Sequence, residues 1–520
     1  MSLVEITRLD GGQDKNERSE TINQATESMG FDIFNDTNKL TRLLTPTVFE
    51  GAFGPSVTAG ECAVFDATKR MSDGRVIGVG VTGSTSSIFR FYRKDGTITG
   101  NWAQHSVAGG SVSNQNVYAI LYKDAQYGVA SLSSVTRLYR YDTDSAMTII
   151  GDVADSDAIV LAKPLVHSQD DILYVPGSRT IGKYDGTTFI ASAIVLPYLI
   201  TSICEYQNYI AILCQSPAGG VIYWWGRDTS LATLQNTFPL DGGAGRILEN
   251  IDGYLVGVSE FPYDSNNSVI GLSFSVPHIV VRMYLGGIMQ KVKSALVNNL
   301  LSGSTSESPY TESGQTQRLL NKKMVKDGRL YFTTASNAVW CFGLNQDGKY
   351  VLSRNYKSTY QTRNVLVFYG MFTLGDYVFF NVRTDTGSPN DMYLTRITGD
   401  GYSSTDISYY TTTINPSMPI VDRKYDKTLK AFGIRALINN VAQGSIIVEI
   451  SVDGGTFNTI ISRDTLSTFF PSKVTRIDAG AMNDSTPMPT GREFKFRIKT
   501  TTKIDVLGYW YDYDVNNTLI

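Results

Sequence analysis

Charge is scarce in this chain. Only 18% of its 520 residues are Asp, Glu, Lys or Arg, and 46 basic against 49 acidic side chains leave a formal charge of −3. Long exposed helix faces need more Lys and Glu than this. A surface built to grip phosphate backbones would carry a basic excess that is missing here. Histidine is scarcer still: His105, His167 and His278 lie far apart and show neither HExxH nor Cys/His ligand spacing. Cys62, Cys204, Cys214 and Cys341 form no CxxC pair and sit in apolar, strand-like contexts, so they read as buried free thiols rather than disulfides. No stretch approaches the roughly 18 apolar residues of a membrane span, and "MSLVEITRLDGGQDKNERSE" lacks an apolar signal core. A soluble protein made in a reducing compartment, with no membrane span, is expected.

What remains is strand chemistry. Hydrophobic residues make up 42% of the chain, 30 of its residues are Tyr, and Ser and Thr are plentiful. The stretch "DGRLYFTTASNAVWCFG" from 327 is a polar turn, a strand, a reversal and a second strand, and "DILYVPGSRTIGKYDGTTF" from 171 repeats it. Weaker copies start near 73, 124, 207, 252 and 375, most of them spaced between about 36 and 51 residues, the range of a four-stranded propeller blade. A lone four-stranded sheet exposes two apolar faces. Stacking such sheets radially covers both, and closing the ring leaves only short edges. The fold expected is mainly β: a β-propeller of seven blades, with six as the alternative count and a long two-sheet sandwich as the rival architecture.

The gap from 252 to 327 is longer than one repeat and implies an insertion at about 277–317. Within it, "GGIMQKVKSALVNNLL" places Ile288, Val292, Leu296 and Leu300 four apart, a spacing that fits an amphipathic helix or a blade strand. "SGSTSESPYTESGQTQ" has almost nothing to bury and reads as a surface loop. From about 420 the pattern becomes strict alternation: Phe494, Phe496 and Ile498 against Lys495, Arg497 and Lys499, with Ile446, Val448, Ile450 and Val452 and then Phe432, Ile434, Ala436 and Ile438 behaving alike. One covered and one wet face predict a C-terminal antiparallel β-sandwich. The expected division is an extended N-terminal arm over 1–48, the propeller over 49–418 and the sandwich over 419–520. The arm is polar except for Phe31, Ile33 and Phe34, which need a surface on which to dock.

Catalytic motifs are thin. "GGAGRI" at 242–247 lacks the Lys-Ser/Thr of a phosphate loop and reads as a blade-entry turn. "SVDGGTF" at 451–457 is one residue short of the Asp-box pattern of sialidases and reads as a tight hairpin. Asp142/Asp144 and Asp152/Asp155/Asp157 lack the Gly and distal Glu of a calcium loop. No catalytic residue, cofactor or metal ligand is singled out, and a non-enzyme is expected. Trp224-Trp225 is the one candidate anchor: neighbouring strand residues face opposite ways, so one ring can be core while the other contacts a partner or a sugar, the equal alternative being that both rings are buried between blades.

The "GG" opening, the "GFDIFNDTNKLTRL" segment, a propeller and a terminal sandwich together resemble virion proteins of tailed phages, in particular the tail nozzle of short-tailed phages. The resemblance implies a structural, ring-forming subunit: a homo-oligomer of six copies, held by adaptor or fibre proteins in the virion tail, assembled in the host cytoplasm and passing double-stranded DNA. The alternatives are a carbohydrate-binding or glycan-cleaving propeller, for which the tyrosines and the Trp pair speak, and a non-viral scaffold propeller.

Overall fold

A computed structural model of the chain describes residues 2–6, 27–29, 31–34, 41–42, 46–48, 62–82, 88–94, 102–132, 135–143, 145–155, 161–227, 234–261, 278–296, 322–333, 338–357, 366–375, 377–384, 392–397, 408–413, 425–438, 446–463, 474–478, 489–500 and 504–516. Every regular element among these residues is a strand. The candidate loop at 302–317 lies outside them.

Antiparallel four-stranded units follow one another along the chain and form a seven-bladed propeller. Blade one holds Cys62–Lys69, Val76–Thr82, Ile88–Lys94 and the first part of the long strand Trp102–Tyr122. The rest of that strand opens blade two, completed by Ala125–Leu132, Thr136–Thr143 and Ala146–Val153. Blade three begins at Leu165–His167, blade four at Leu199–Tyr206, blade five at Ala244–Ile251 and blade six at Lys323–Lys326. In blade seven, Leu366–Leu374, Tyr377–Thr384 and Met392–Ile397 are joined by Pro46–Val48, a strand from the other end of the sequence. That pairing closes the ring.

The apolar clusters lie between blades, not within them. Ile77, Val79, Phe89 and Phe91 of blade one meet Val117, Ala130 and Tyr139 of blade two, and Ile247, Val256 and Val281 of blade five meet Phe332, Trp340 and Phe342 of blade six. Each sheet buries both faces, which is why its strands read as near-continuous apolar runs. The approach is close: a Cβ on Gly128 would stand 2.5 Å from Phe89 Cζ.

The sequence repeats encode the turn after each blade's first strand. Asp252-Gly253 and Asp327-Gly328 both take positive φ at both residues (50° and 84°, 53° and 69°), the geometry of a tight two-residue hairpin. Successive turns are tied together: Ser72 N donates to Asp124 Oδ1 (3.3 Å), Lys123 Nζ stands 3.6 Å from Asp171, and Gln169 Nε2 donates to Asn208 Oδ1 (2.7 Å).

Of the two readings of 286–301, the strand holds over 288–296, and residues 297–301 lie outside the described set. Ile288–Leu296 returns along His278–Leu285 after a Gly286-Gly287 turn, with Leu285 opposite Ile288. A four-residue spacing is also a multiple of two, so Ile288 and Val292 share a strand face as readily as a helix face. The glycine pair, at φ 61° and 95°, breaks the tie.

Beyond the ring, Asp426–Ile438, Val474–Asp478 and Ile504–Asn516 pack against Ser408–Thr413, Ile446–Val452, Asn458–Arg463 and Phe494–Thr500 as the C-terminal sandwich. Its core is the alternating set: Phe432, Ile434, Ile446, Val448, Phe494, Phe496 and Ile498. Arg497, on the opposite face, is also covered, with its guanidinium 3.6 Å from the Phe457 ring centroid and its Nη1 3.2 Å from Glu449.

The N-terminal arm threads these parts together. Ser2–Ile6 pairs with Ile504–Asn516 at one edge of the sandwich. Glu27–Met29 lies between the last strand of blade six, which it meets in parallel, and Ser408–Thr413, so that blade and sandwich share one sheet. Phe31, Ile33 and Phe34 are 0–1% exposed, in one cluster with Phe432, Phe496 and Tyr511 of the sandwich and Val351 of blade six.

Candidate functional site

Trp224 and Trp225 are both buried, at 7% and 1% exposure. The alternation is real, but a propeller blade has a neighbour on each side. Trp225 faces blade three, edge-on to Tyr174 at 5.4 Å. Trp224 faces blade five, against Tyr284 at 5.4 Å. The exposed-anchor expectation is corrected accordingly: neither ring offers a face to a partner or a sugar. Cys204, Cys214 and Cys341 are buried thiols outside any disulfide, and burial pushes the first two well above the usual range. The side chains of Cys62 and His105 lie outside the described set.

Buried or half-buried polar pairs recur among the described residues of the ring, Arg246 with Glu260 and Arg282 with Asp241 among them, and two further clusters centre on His167 and Asp66. One lies between blades three and four. His167, wholly buried, has Arg227 Nη1 2.7 Å from Nε2, Asp170 Oδ1 3.4 Å from Nδ1 and Glu205 Oε1 3.8 Å from Nε2. Ser168 bonds Glu205 through both its backbone and its hydroxyl, and Tyr174 donates to Asp170. Burial, then the Arg227 charge, lowers the His167 pKa, so the ring stays neutral between an arginine and two carboxylates. Each group already has a protein partner, which fits an inter-blade clamp.

The second cluster is at the propeller axis. Asp66 comes from the first strand of blade one, Tyr118 from the first strand of blade two, and Lys163 from the approach to blade three. Lys322 comes from the approach to blade six. Groups from blades two and six meet only where the inner strands converge. Asp66 is 2% exposed and accepts from the backbone N–H groups of Ala67 and Ala119, each at 3.0 Å, and from Lys163 Nζ at 2.7 Å. The Tyr118 hydroxyl donates to the Leu161 carbonyl, which leaves the ring face for the Lys322 ammonium at 4.0 Å.

Lys322 is 3% exposed, and its Nζ has no hydrogen-bond acceptor among the described residues. Its neighbour shows that the fold can satisfy a buried lysine. Lys323 Nζ reaches the carbonyls of Ile203 at 2.8 Å and Leu248 at 2.5 Å, and Glu249 at 2.9 Å. Lys322 has only a π face. Burial lowers its pKa to about 7, with Asp66 opposing the shift and Lys163 adding to it. Two amines against one carboxylate make the cluster receptive to one further negative charge, and Lys163, with its side chain 35% exposed, is its solvent-facing member.

The pH dependence of stability follows from that shift. The unfolded chain keeps Lys322 protonated up to about pH 10.4, whereas the folded chain releases the proton near 7. Between these values the unfolded state binds more protons, so this residue makes stability rise with pH. Lys322→Met removes the buried ammonium and is expected to raise the melting temperature at pH 6 and to flatten the rise between pH 7 and 10. Thermal melts of both proteins across that range check it.

Sequence reasoning missed this cluster. Its members are scattered from 66 to 322, and nothing near any one of them signals the others. The only available signal is Lys322-Lys323 at the head of a blade's first strand, where an apolar residue is the ordinary choice.

No protein-family model matches the chain, and no curated protein matches its sequence. Solved structures of similar shape are propellers. A putative 6-phosphogluconolactonase from Bacteroides uniformis is 12% identical, matched over 68% of this chain and 96% of its own, with a TM-score of 0.38. The N-terminal domain of Nup159 is 9% identical over 71% and 98%, with a TM-score of 0.39. The propeller domain of the Trilobed protease from Pyrococcus furiosus is 12% identical over 65% and 96%, with a TM-score of 0.36. Likeness this distant assigns no role to this chain.

The tail-nozzle expectation is corrected by these neighbours, none of which is described as a virion protein. An arm, a propeller and a sandwich form a layout, and a layout without diagnostic residues does not specify a tail. The six-copy ring, the adaptor or fibre partners, the DNA passage and the virion location fall with it. The expectation of a non-enzyme is withdrawn too: some of the neighbours are described as enzymes, and a propeller fold by itself neither implies nor excludes a reaction.

Proposed function

We propose that this protein is a ligand-binding propeller of the carbohydrate-directed kind, whose site is the axial cluster of Asp66, Tyr118, Lys163 and Lys322 and whose ligand is a small acidic sugar. The observation that carries the reading is Lys322: a buried amine that faces an aromatic ring and lacks an acceptor among the described residues. An amine so placed is expensive to bury unless a partner completes its hydrogen bonds. A carboxylate does so and balances the excess positive charge of the cluster. Asp66, held by two backbone N–H groups, keeps acceptor capacity for a sugar hydroxyl.

The test is titration calorimetry with D-gluconate, an open-chain sugar acid. Wild type is expected to bind with a single site. Lys322→Met and Lys163→Met are each expected to weaken binding at least tenfold, in line with about 1.5–3 kcal/mol for a charge-assisted hydrogen bond. Because the free protein loses the Lys322 proton near pH 7, affinity is expected to fall from pH 6 to pH 9. Binding unchanged in both variants, or no binding at any of these pH values, sinks the reading.

A further inference from the structure

We propose that Lys322 is a nucleophile, and that the axial site captures the open-chain aldehyde of a reducing acidic sugar, a uronic acid, as an imine on Lys322 Nζ. This deepens the acidic-sugar reading and rests on it for the choice of ligand. An amine becomes nucleophilic when it is desolvated or placed beside another cation, because either disfavours the ammonium form and frees the nitrogen lone pair. Lys322 meets both conditions. It is enclosed at the axis, and Lys163, ion-paired to Asp66, is a second positive charge that acts on it. No acceptor among the described residues holds its protons, so no hydrogen bond to them must be broken before it reacts, only its contact with the Tyr118 ring. Lys323, one residue on, is bound to two carbonyls and a carboxylate and is unsuited to the same role.

The step balances without an oxidant or reductant. The Nζ lone pair attacks the aldehyde carbon, a C–N bond forms, and the carbonyl π pair moves to oxygen. The nitrogen gives up a proton and the oxygen takes one, giving a carbinolamine. Loss of the hydroxyl with a second nitrogen proton releases water and leaves the imine. A uronic acid suits the site because its carboxylate is at the opposite end from its aldehyde, so one ligand supplies both the charge and the electrophile.

The full chain, incubated with D-glucuronate and sodium cyanoborohydride at pH 7, is expected to gain a single adduct per chain, equal to the sugar less one oxygen atom. Peptide mass mapping is expected to place it on Lys322. Lys322→Met and Lys322→Arg, confirmed as folded by their melting curves, are expected to lose that adduct, and Lys163→Met is expected to slow its formation severalfold. Label spread evenly over exposed lysines, or an adduct that persists in both Lys322 variants, overturns the proposal. D-gluconate has no carbonyl and separates the two readings. If gluconate binds but glucuronate leaves no adduct on Lys322, the imine falls and the acidic-sugar site stands. If the adduct forms while gluconate does not bind, the nucleophile stands and the anion reading falls.

Discussion

Phe31→Ala is expected to lower the unfolding free energy by about 3–5 kcal/mol, the usual loss when a fully buried aromatic is truncated and leaves a cavity. Phe34→Ala should cost a similar amount. The two rings come from a segment that is otherwise polar, yet they sit at 0% and 1% exposure among Phe432, Phe496, Tyr511 and Val351. Deleting residues 1–48 should do more. It removes the outer strand of blade seven, the edge strand of one sandwich sheet and the strand that joins blade six to the other sheet. The freed edges of Met392–Ile397 and Tyr350–Lys357 would then expose unpaired backbone groups. Circular dichroism melts should show a large drop in midpoint for the point variants. The deletion should show no single cooperative transition, with early proteolysis in blades six and seven. A deletion variant that melts like the full chain would disprove the clasp role of the arm.

Trp225→Ala is the second large effect, again about 3–5 kcal/mol. Its ring fills the interface of blades three and four against Tyr174, Ile181 and Ile200. Trp225→Phe should cost much less. The indole Nε1 has no acceptor among the described residues, so replacing it by a smaller ring removes an unsatisfied donor while keeping most of the apolar contact. Trp224→Ala should behave alike at the next interface, where Tyr206, Phe238 and Tyr284 surround it. Denaturant titrations measure all three. Neither tryptophan variant should alter gluconate affinity, because both rings lie between blades and away from the axial cluster.

Much of the architecture was legible because it repeats. Asp-Gly turns at 252 and 327 need positive φ, and that requirement is written in two letters. The alternation at 494–500 reports the covered face of the sandwich directly, since the side-chain period of a strand is two. Ile288–Leu296 was ambiguous because an apolar residue every fourth position satisfies both periods. The Trp pair was open between an exposed anchor and two buried rings because alternation says that two residues face opposite sides, not that one of those sides is wet. Only the presence of a second neighbouring blade decides that.

Local chemistry by itself determined that this chain is built of strands, where it turns, and which faces must be covered, because those properties depend on residues within a few positions of one another. The ring closure by Pro46–Val48, the seam strand Glu27–Met29 and the axial meeting of Asp66, Tyr118, Lys163 and Lys322 depend on contacts between residues far apart in the chain. No periodicity reports such contacts. Burial and charge at a shared axis exist only once the blades are arranged around it, so the tertiary structure alone decided where the chemistry lies.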